Sequence, residues 1–210
     1  PDGGGIALMS TTRVVYSAPN YTLNRAIYDY AFRTDADGRS MRFGDIIRQA
    51  KVSSGAGMNK RSFLLLGDPA LRLAWPSTGK VVTDSINGVH VSMPFDTLRA
   101  LSLMTVSGHV EDAAGNLMTG FNGTVEPVVS DKPGYVSTLA NDGGSPMTFP
   151  VDGNVIFRGK TTVTDGRFSF SFIVPLDINY SYGSGSVKYY AYNGVDDLNG
   201  SFPGITVGGF

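Results

Sequence analysis

The 210-residue chain contains no cysteine, which rules out disulfides, thiolate zinc sites and a thiol nucleophile within these residues. Histidine is scarce as well. The two present, His90 and His109, are too few and too isolated for a metal cluster, so neither a metal nor a cofactor is expected. Charge of one sign is missing too: 17 basic residues face 18 acidic ones. Whole-chain electrostatics therefore gives no basis for binding nucleic acid or an anionic membrane. No run approaches the roughly 20 apolar residues that a membrane-spanning helix needs, so no transmembrane segment is expected. The amino end has neither an initiating Met nor a signal-peptide pattern, and the sequence reads as starting inside a longer protein.

Glycine and proline are plentiful, at 27 and 11 residues, and 41% of the chain is hydrophobic against 17% charged. That balance favours a turn-rich β protein with a substantial core. The charge is uneven along the chain. Up to Pro76 there are 10 Lys and Arg against 6 Asp and Glu, and after it 7 against 12, so two compositional units are expected.

Helical patterning is confined to the first unit. Pro19 suits the first turn of a helix whose Leu23, Ile27, Tyr30 and Ala31 share a face. A second helix fits Phe43 to Lys51, with Ile46, Ile47 and Ala50 inward and Arg48 and Lys51 near the favourable carboxyl end. The glycine-bounded apolar runs Gly5 to Met9 and Phe63 to Leu66 read as strands buried on both faces of a mainly parallel sheet. A strand, two helices and a strand cannot cover both faces of such a sheet, so this α/β fragment should expose apolar surface unless something else covers it.

Beyond Val81 the pattern is all β. Strands are expected at Val89 to Met93, Met104 to Val110, Gly123 to Val129, Val155 to Phe157, Arg167 to Val174 and Ser186 to Tyr192. Turns are expected at Asp112 to Asn116, Asp131 to Gly134, Asn141 to Pro146, Asp165-Gly166 and Tyr182 to Ser186, the spacing of an antiparallel sandwich. Phe168, Phe170 and Phe172 alternate with serines, the pattern of a half-buried strand whose aromatics face the core, although a carbohydrate platform would look the same. Residues 205–210 read as a frayed tail.

Two stretches of the first unit go beyond propensity. Ile6-Ala7-Leu8-Met9-Ser10-Thr11-Thr12-Arg13-Val14-Val15-Tyr16-Ser17-Ala18-Pro19-Asn20 resembles the segment after the catalytic cysteine in gingipain-type cysteine peptidases. Phe63-Leu64-Leu65-Leu66-Gly67-Asp68-Pro69-Ala70-Leu71-Arg72-Leu73 resembles the strand and turn that close that family's catalytic domain. Asn24, Gly44-Asp45 and Asn59-Lys60-Arg61 point to the members that serve type IX secretion as sortases. In the β part, Val106 to Asp112, Phe121-Asn122-Gly123, Ser130-Asp131-Lys132 and Phe172 to Tyr180 resemble the region after the catalytic domain of the same proteins.

The resemblance implies a specific division of the chain. Residues 1–76 would be the C-terminal portion of a caspase-like α/β/α catalytic domain, and residues 77–204 an immunoglobulin-like β-sandwich. The parent would be a hydrolase on the extracellular face of the outer membrane of a Gram-negative bacterium. It would remove C-terminal sorting signals from exported protein substrates and attach the cargo to anionic lipopolysaccharide, alongside other secretion-system components. The thiolate and histidine that such chemistry requires would lie upstream, so no residue of this chain is expected to be catalytic. Tyr16 would supply an aromatic wall to the pocket that grips the residue before the cleaved bond.

Two other readings remain open at this stage: a non-enzymatic surface adhesin or assembly module, and a secreted gingipain-like protease. Simpler readings stand beside the remaining candidates. Asp68 reads as a turn carboxylate. Asp35-Ala36-Asp37-Gly38 opens like a calcium loop but has Ile46 where the glutamate belongs, so it reads as a solvated turn. His90 and His109 read as strand or surface histidines. Gly3-Gly4-Gly5 precedes a strand instead of following one, so it reads as a flexible entry and not a phosphate loop. Arg39, Arg42, Arg48, Lys51, Lys60 and Arg61 could face anionic glycan, though helix-end charges are usually only solvated.

Overall fold

The computed structural model describes residues 5–76, 78–141 and 143–210. It divides into two compact units, Pro1–Ser77 and Thr78–Phe210. The glycine entry at Gly3 and Gly4, and Asp142 within the expected turn, lie outside the described residues.

The first unit runs β1 (Leu8–Thr11), α1 (Ser17–Ala31), α2 (Phe43–Ser53), a 3-10 helix (Asn59–Ser62) and β2 (Phe63–Leu66). Helix α1 buries Leu23 and Ala26, with Ile27 and Tyr30 packed behind them. Helix α2 buries Phe43, Ile46, Ile47 and Ala50, the inward face that the 3.6-residue period predicts with Phe43 added. Leu23, Ala26, Ala50 and Phe63 form one small core.

The expectation of a mainly parallel sheet is corrected here. Strands β1 and β2 do lie side by side, but antiparallel, from Leu8 opposite Leu66 to Thr11 opposite Phe63. They form a two-stranded sheet that is largely uncovered, with Leu8 and Leu66 each 57% exposed. An apolar run reports a capacity for burial, and strand direction depends on where the intervening helices return the chain.

The second unit contains β3 (Gly79–Ile86), β4 (Val89–His90), β5 (Leu103–Asp112), β6 (Gly123–Ser130), β7 (Gly134–Ser137), β8 (Thr148–Val151), β9 (Val155–Arg158), β10 (Thr161–Val163), β11 (Arg167–Ile173), β12 (Gly183–Tyr192) and β13 (Asp197–Val207). The main path runs β10-β6-β12-β13-β3-β5-β11, with β4 on β3 and β9 on β6. Its pairings are antiparallel except for β13 with β3, which meet in parallel at Asn199 and Lys80. Gly200 makes that seam possible: a Cβ there would sit 2.0 Å from the Val81 carbonyl oxygen. The strands enclose one core that includes Val106, Phe121, Val129, Val187 and Leu198.

Phe168, Phe170 and Phe172 belong to that core, and Phe157 stacks on Phe170 and Phe172 at 5.6 and 4.7 Å. The carbohydrate-platform reading is thereby excluded. Residues 205–210 are not a frayed tail. Strand β13 continues to Val207, Ile205 and Val207 are fully buried, and the Gly208 and Gly209 N–H groups donate to Leu98 and Tyr180 carbonyls at 3.0 Å each. Most of the expected turn at Tyr182 to Ser186 is strand as well, since β12 begins at Gly183, with a register shift between Gly185 and Val187. Small residues read as a turn, but here they let the chain bulge against β13. Overall the structure is mostly β-sheet with two short helices.

Candidate functional site

Three local anchors shape the site, and all belong to the first unit. Where β1 ends, the Thr12 N–H donates to the Ser62 carbonyl at 2.9 Å. Arg13 follows, with Nε donating to Ser62 Oγ at 2.8 Å and Nη2 to Asn59 Oδ1 at 3.4 Å. These contacts tie the loop leaving β1 to the 3-10 helix. Where α2 ends, Gly55 takes a φ of +82°, a left-handed value that suits glycine. Lys60 closes this turn by donating from Nζ to the carbonyls of Lys51, at 2.8 Å, and Gly55.

Between the two loops lies a cavity of about 310 Å³, lined by Arg13, Tyr16, Pro19, the 54–57 loop, Met58, Asn59 and Lys60. Tyr16 caps α1 in extended geometry (φ −70°, ψ 144°) without a side-chain hydrogen bond to the helix. Tyr16 is 80% exposed, which excludes a core role and leaves ring surface free to pack on a ligand. Met58, also in the lining, is exposed. Helix α1 has no acidic residue in its first turn, and among the described residues no carboxylate lines the cavity.

The sequence assigns a pocket role to Tyr16 alone. Arg13 lies inside the first quoted stretch and Asn59-Lys60 in a separate motif, and only the cavity identifies them as lining residues. The other candidates lie elsewhere or have structural duties. Asp68 Oδ1 accepts the Ala70 N–H at 2.8 Å, as a turn carboxylate does. Asp35 accepts the Asp37 and Arg39 N–H groups at 3.0 Å each and Arg72 Nη1 at 2.7 Å, and the Arg72 hydrogen bond leads in holding its carboxyl below the usual range. The calcium-loop pattern is thus a turn fastened to Arg72.

The cationic residues form no single patch. Arg39 pairs with Asp37, Arg48 with Asp45 at 3.4 Å, and Lys51 Nζ donates to the Phe63 carbonyl at 2.5 Å. In the second unit, His90 bonds Ser92 Oγ at 2.8 Å. His109 bridges Asp84 at 2.6 Å and Glu111 at 3.3 Å. Among the described residues no group of three or more His, Cys, Asp or Glu could hold a metal ion. No described helix is long and apolar enough to cross a membrane.

Residues 1–74 match the model of peptidase family C25, the gingipain family of cysteine peptidases. Across both units the chain is similar to a solved structure, dimeric latent PorU from Porphyromonas gingivalis. The two share 33% identity with a TM-score of 0.56 over 84% of this chain. The chain spans 17% of that protein. Spo0M, a sporulation control protein from Bacillus subtilis, matches 63% of this chain and 50% of its own at 17% identity and a TM-score of 0.36, a likeness too slight to argue from. No curated protein matches the chain.

Proposed function

We propose that the chain is a non-catalytic C-terminal part of a cysteine peptidase of the PorU kind. In this reading residues 1–76 end a caspase-like catalytic domain, and residues 77–204, with β13 running on to Val207, form an immunoglobulin-like sandwich. The parent protein acts on the outer-membrane surface, removes C-terminal sorting signals from exported cargo and attaches the cargo to anionic lipopolysaccharide. Other secretion components dock on it, and Tyr16 walls the pocket for the residue before the cleaved bond.

The observation that carries this reading is the similarity to one solved protein across both units, with the family match confined to residues 1–74. Three features support its parts. The absence of cysteine fits a part whose nucleophile is supplied from elsewhere in the parent protein. The exposed face of the β1–β2 pair, carrying Leu8, Leu64 and Leu66, fits strands that belong to a larger sheet covered from elsewhere. The β3-β5-β11 and β10-β6-β12-β13 groupings, joined by the parallel β13–β3 contact, fit an immunoglobulin-like topology.

The test uses the full-length protein. Replacing its upstream cysteine by Ala should leave cargo carrying the sorting signal, read by mass spectrometry of the cargo C-terminus, and should abolish the lipopolysaccharide-linked ladder on gels. Normal processing in that variant overturns the reading, as does an upstream sequence with no Cys and His pair.

A further inference from the structure

The cavity beside Tyr16 has an unbalanced charge. Among the described residues, Arg13 and Lys60 both line it and no carboxylate does. Both cations are held by uncharged partners: Arg13 by Ser62 Oγ and Asn59 Oδ1, Lys60 by the Lys51 and Gly55 carbonyls. A guanidinium has five N–H donors, and those two contacts leave donors of Arg13 free. Tyr16, Pro19 and Met58 add apolar surface to the same lining, and low-dielectric walls concentrate the field of nearby charges. A cationic side chain entering here meets two like charges, whereas a carboxylate meets a planar fork suited to two parallel hydrogen bonds.

We infer that this cavity selects a glutamate or aspartate side chain of an extended peptide, with Arg13 as the residue that determines the preference. Calling that side chain the one before the cleaved bond rests on the peptidase reading above; the charge preference itself does not. Arg13 offers one fork, so the selection is for a single residue and not for an acidic stretch.

Two experiments separate the claims. First, the full-length protein with its upstream cysteine replaced by Ala is titrated with acetyl-Ala-Ala-Xaa-methylamide peptides, Xaa being Glu, Gln or Lys, and binding is followed by isothermal titration calorimetry. The Glu peptide should bind at least about tenfold more tightly than the Lys peptide, weaken with added salt, and lose its advantage in Arg13→Glu but keep it in Arg13→Lys. Equal or tighter binding of the Lys peptide, no binding of the Glu peptide, or a preference unmoved by Arg13→Glu overturns the inference.

Second, the full-length protein is assayed on peptides with the same three residues before the cleavage point. A kcat/KM ratio of about ten or more for Glu over Lys, reversed in Arg13→Glu, is the expected result. Cleavage that favours Lys leaves the peptidase reading standing and defeats the acidic preference. Glu-selective binding without cleavage of any peptide does the opposite.

Discussion

Asp131 and Lys132 form the most deeply placed ion pair described in the second unit, at 2.6 Å with side chains 7% and 14% exposed. Burial works to raise the Asp131 carboxyl. Hydrogen bonds from Lys132 Nζ and from the Asn179 and Lys132 N–H groups outweigh it, and the net direction is down. Lys132 Nζ also donates to the Asn179 carbonyl at 2.8 Å and the Val207 carbonyl at 3.3 Å, so the pair clasps β6 to the segment before β12 and to the end of β13. Asp131→Asn leaves the ammonium buried without its counter-charge and should cost about 3–5 kcal/mol, whereas replacing both residues with apolar ones of similar shape should cost much less. Urea midpoints of the two variants check this, and equal losses would count against the clasp.

Tyr189 is a second informative residue. Its hydroxyl meets Thr83 Oγ1 at 2.7 Å inside the core, and burial pushes its pKa up to about 12. With the folded value above the unfolded one of 10.0, the group's contribution is fully present below pH 10 and is lost as pH rises towards about 12. The loss approaches about 3 kcal/mol. Thermal melts between pH 9 and 12 should show the decline in wild type and a flatter profile in Tyr189→Phe.

Helix α2 shows how a short element depends on a distant one. Its N-cap, Arg42, gives no side-chain hydrogen bond. The first N–H groups are satisfied instead by the returning chain, Phe43 to the Leu71 carbonyl and Gly44 to the Pro69 carbonyl, each at 2.9 Å. Gly44-Asp45 and Gly67-Asp68-Pro69 are therefore one contact, although the sequence presents them as separate motifs. A Cβ on Gly44 would lie 2.9 Å from Pro69 Cβ and 3.1 Å from its carbonyl oxygen. Gly44→Ala should cost about 1–3 kcal/mol through that clash, read as a lower melting temperature. A variant at least as stable as wild type would mean that the Gly-Asp-Pro turn moves freely.

Strand β11 was legible because its alternation is strict, and its buried residues are the phenylalanines that the period of two selects. Strand β3 was missed: Gly79 to Ile86 carries Lys80, Asp84 and Ser85 among its apolar residues, and only its pairing with β5 and β13 makes it a strand. Phe170→Ala, at the centre of the stacked ring cluster, should cost about 3–5 kcal/mol, measured by denaturant titration.

The two units differ in self-sufficiency. The second encloses a core extending from Val81 to Val207, which is enough to expect residues 78–210 to fold alone with dispersed NMR spectra. The first has a core of Leu23, Ala26, Ala50 and Phe63 and a two-stranded sheet, below what usually suffices for independent stability. Residues 5–76 alone should be poorly structured or aggregate. A well-dispersed spectrum from that piece would show that the uncovered strands need no neighbours.

Composition and periodicity by themselves determined that the chain has an α/β part and a β part, which faces of α1, α2, β11 and β12 turn inward, and that it holds no thiol. These are local or additive properties, readable residue by residue. Tertiary structure alone decided the antiparallel direction of β1 and β2, the burial of Ile205 and Val207 in a segment that reads as a tail, and the meeting of Arg13, Tyr16 and Lys60 around one cavity. Each depends on residues tens of positions apart being brought into contact, and a pattern confined to neighbouring residues carries no record of that.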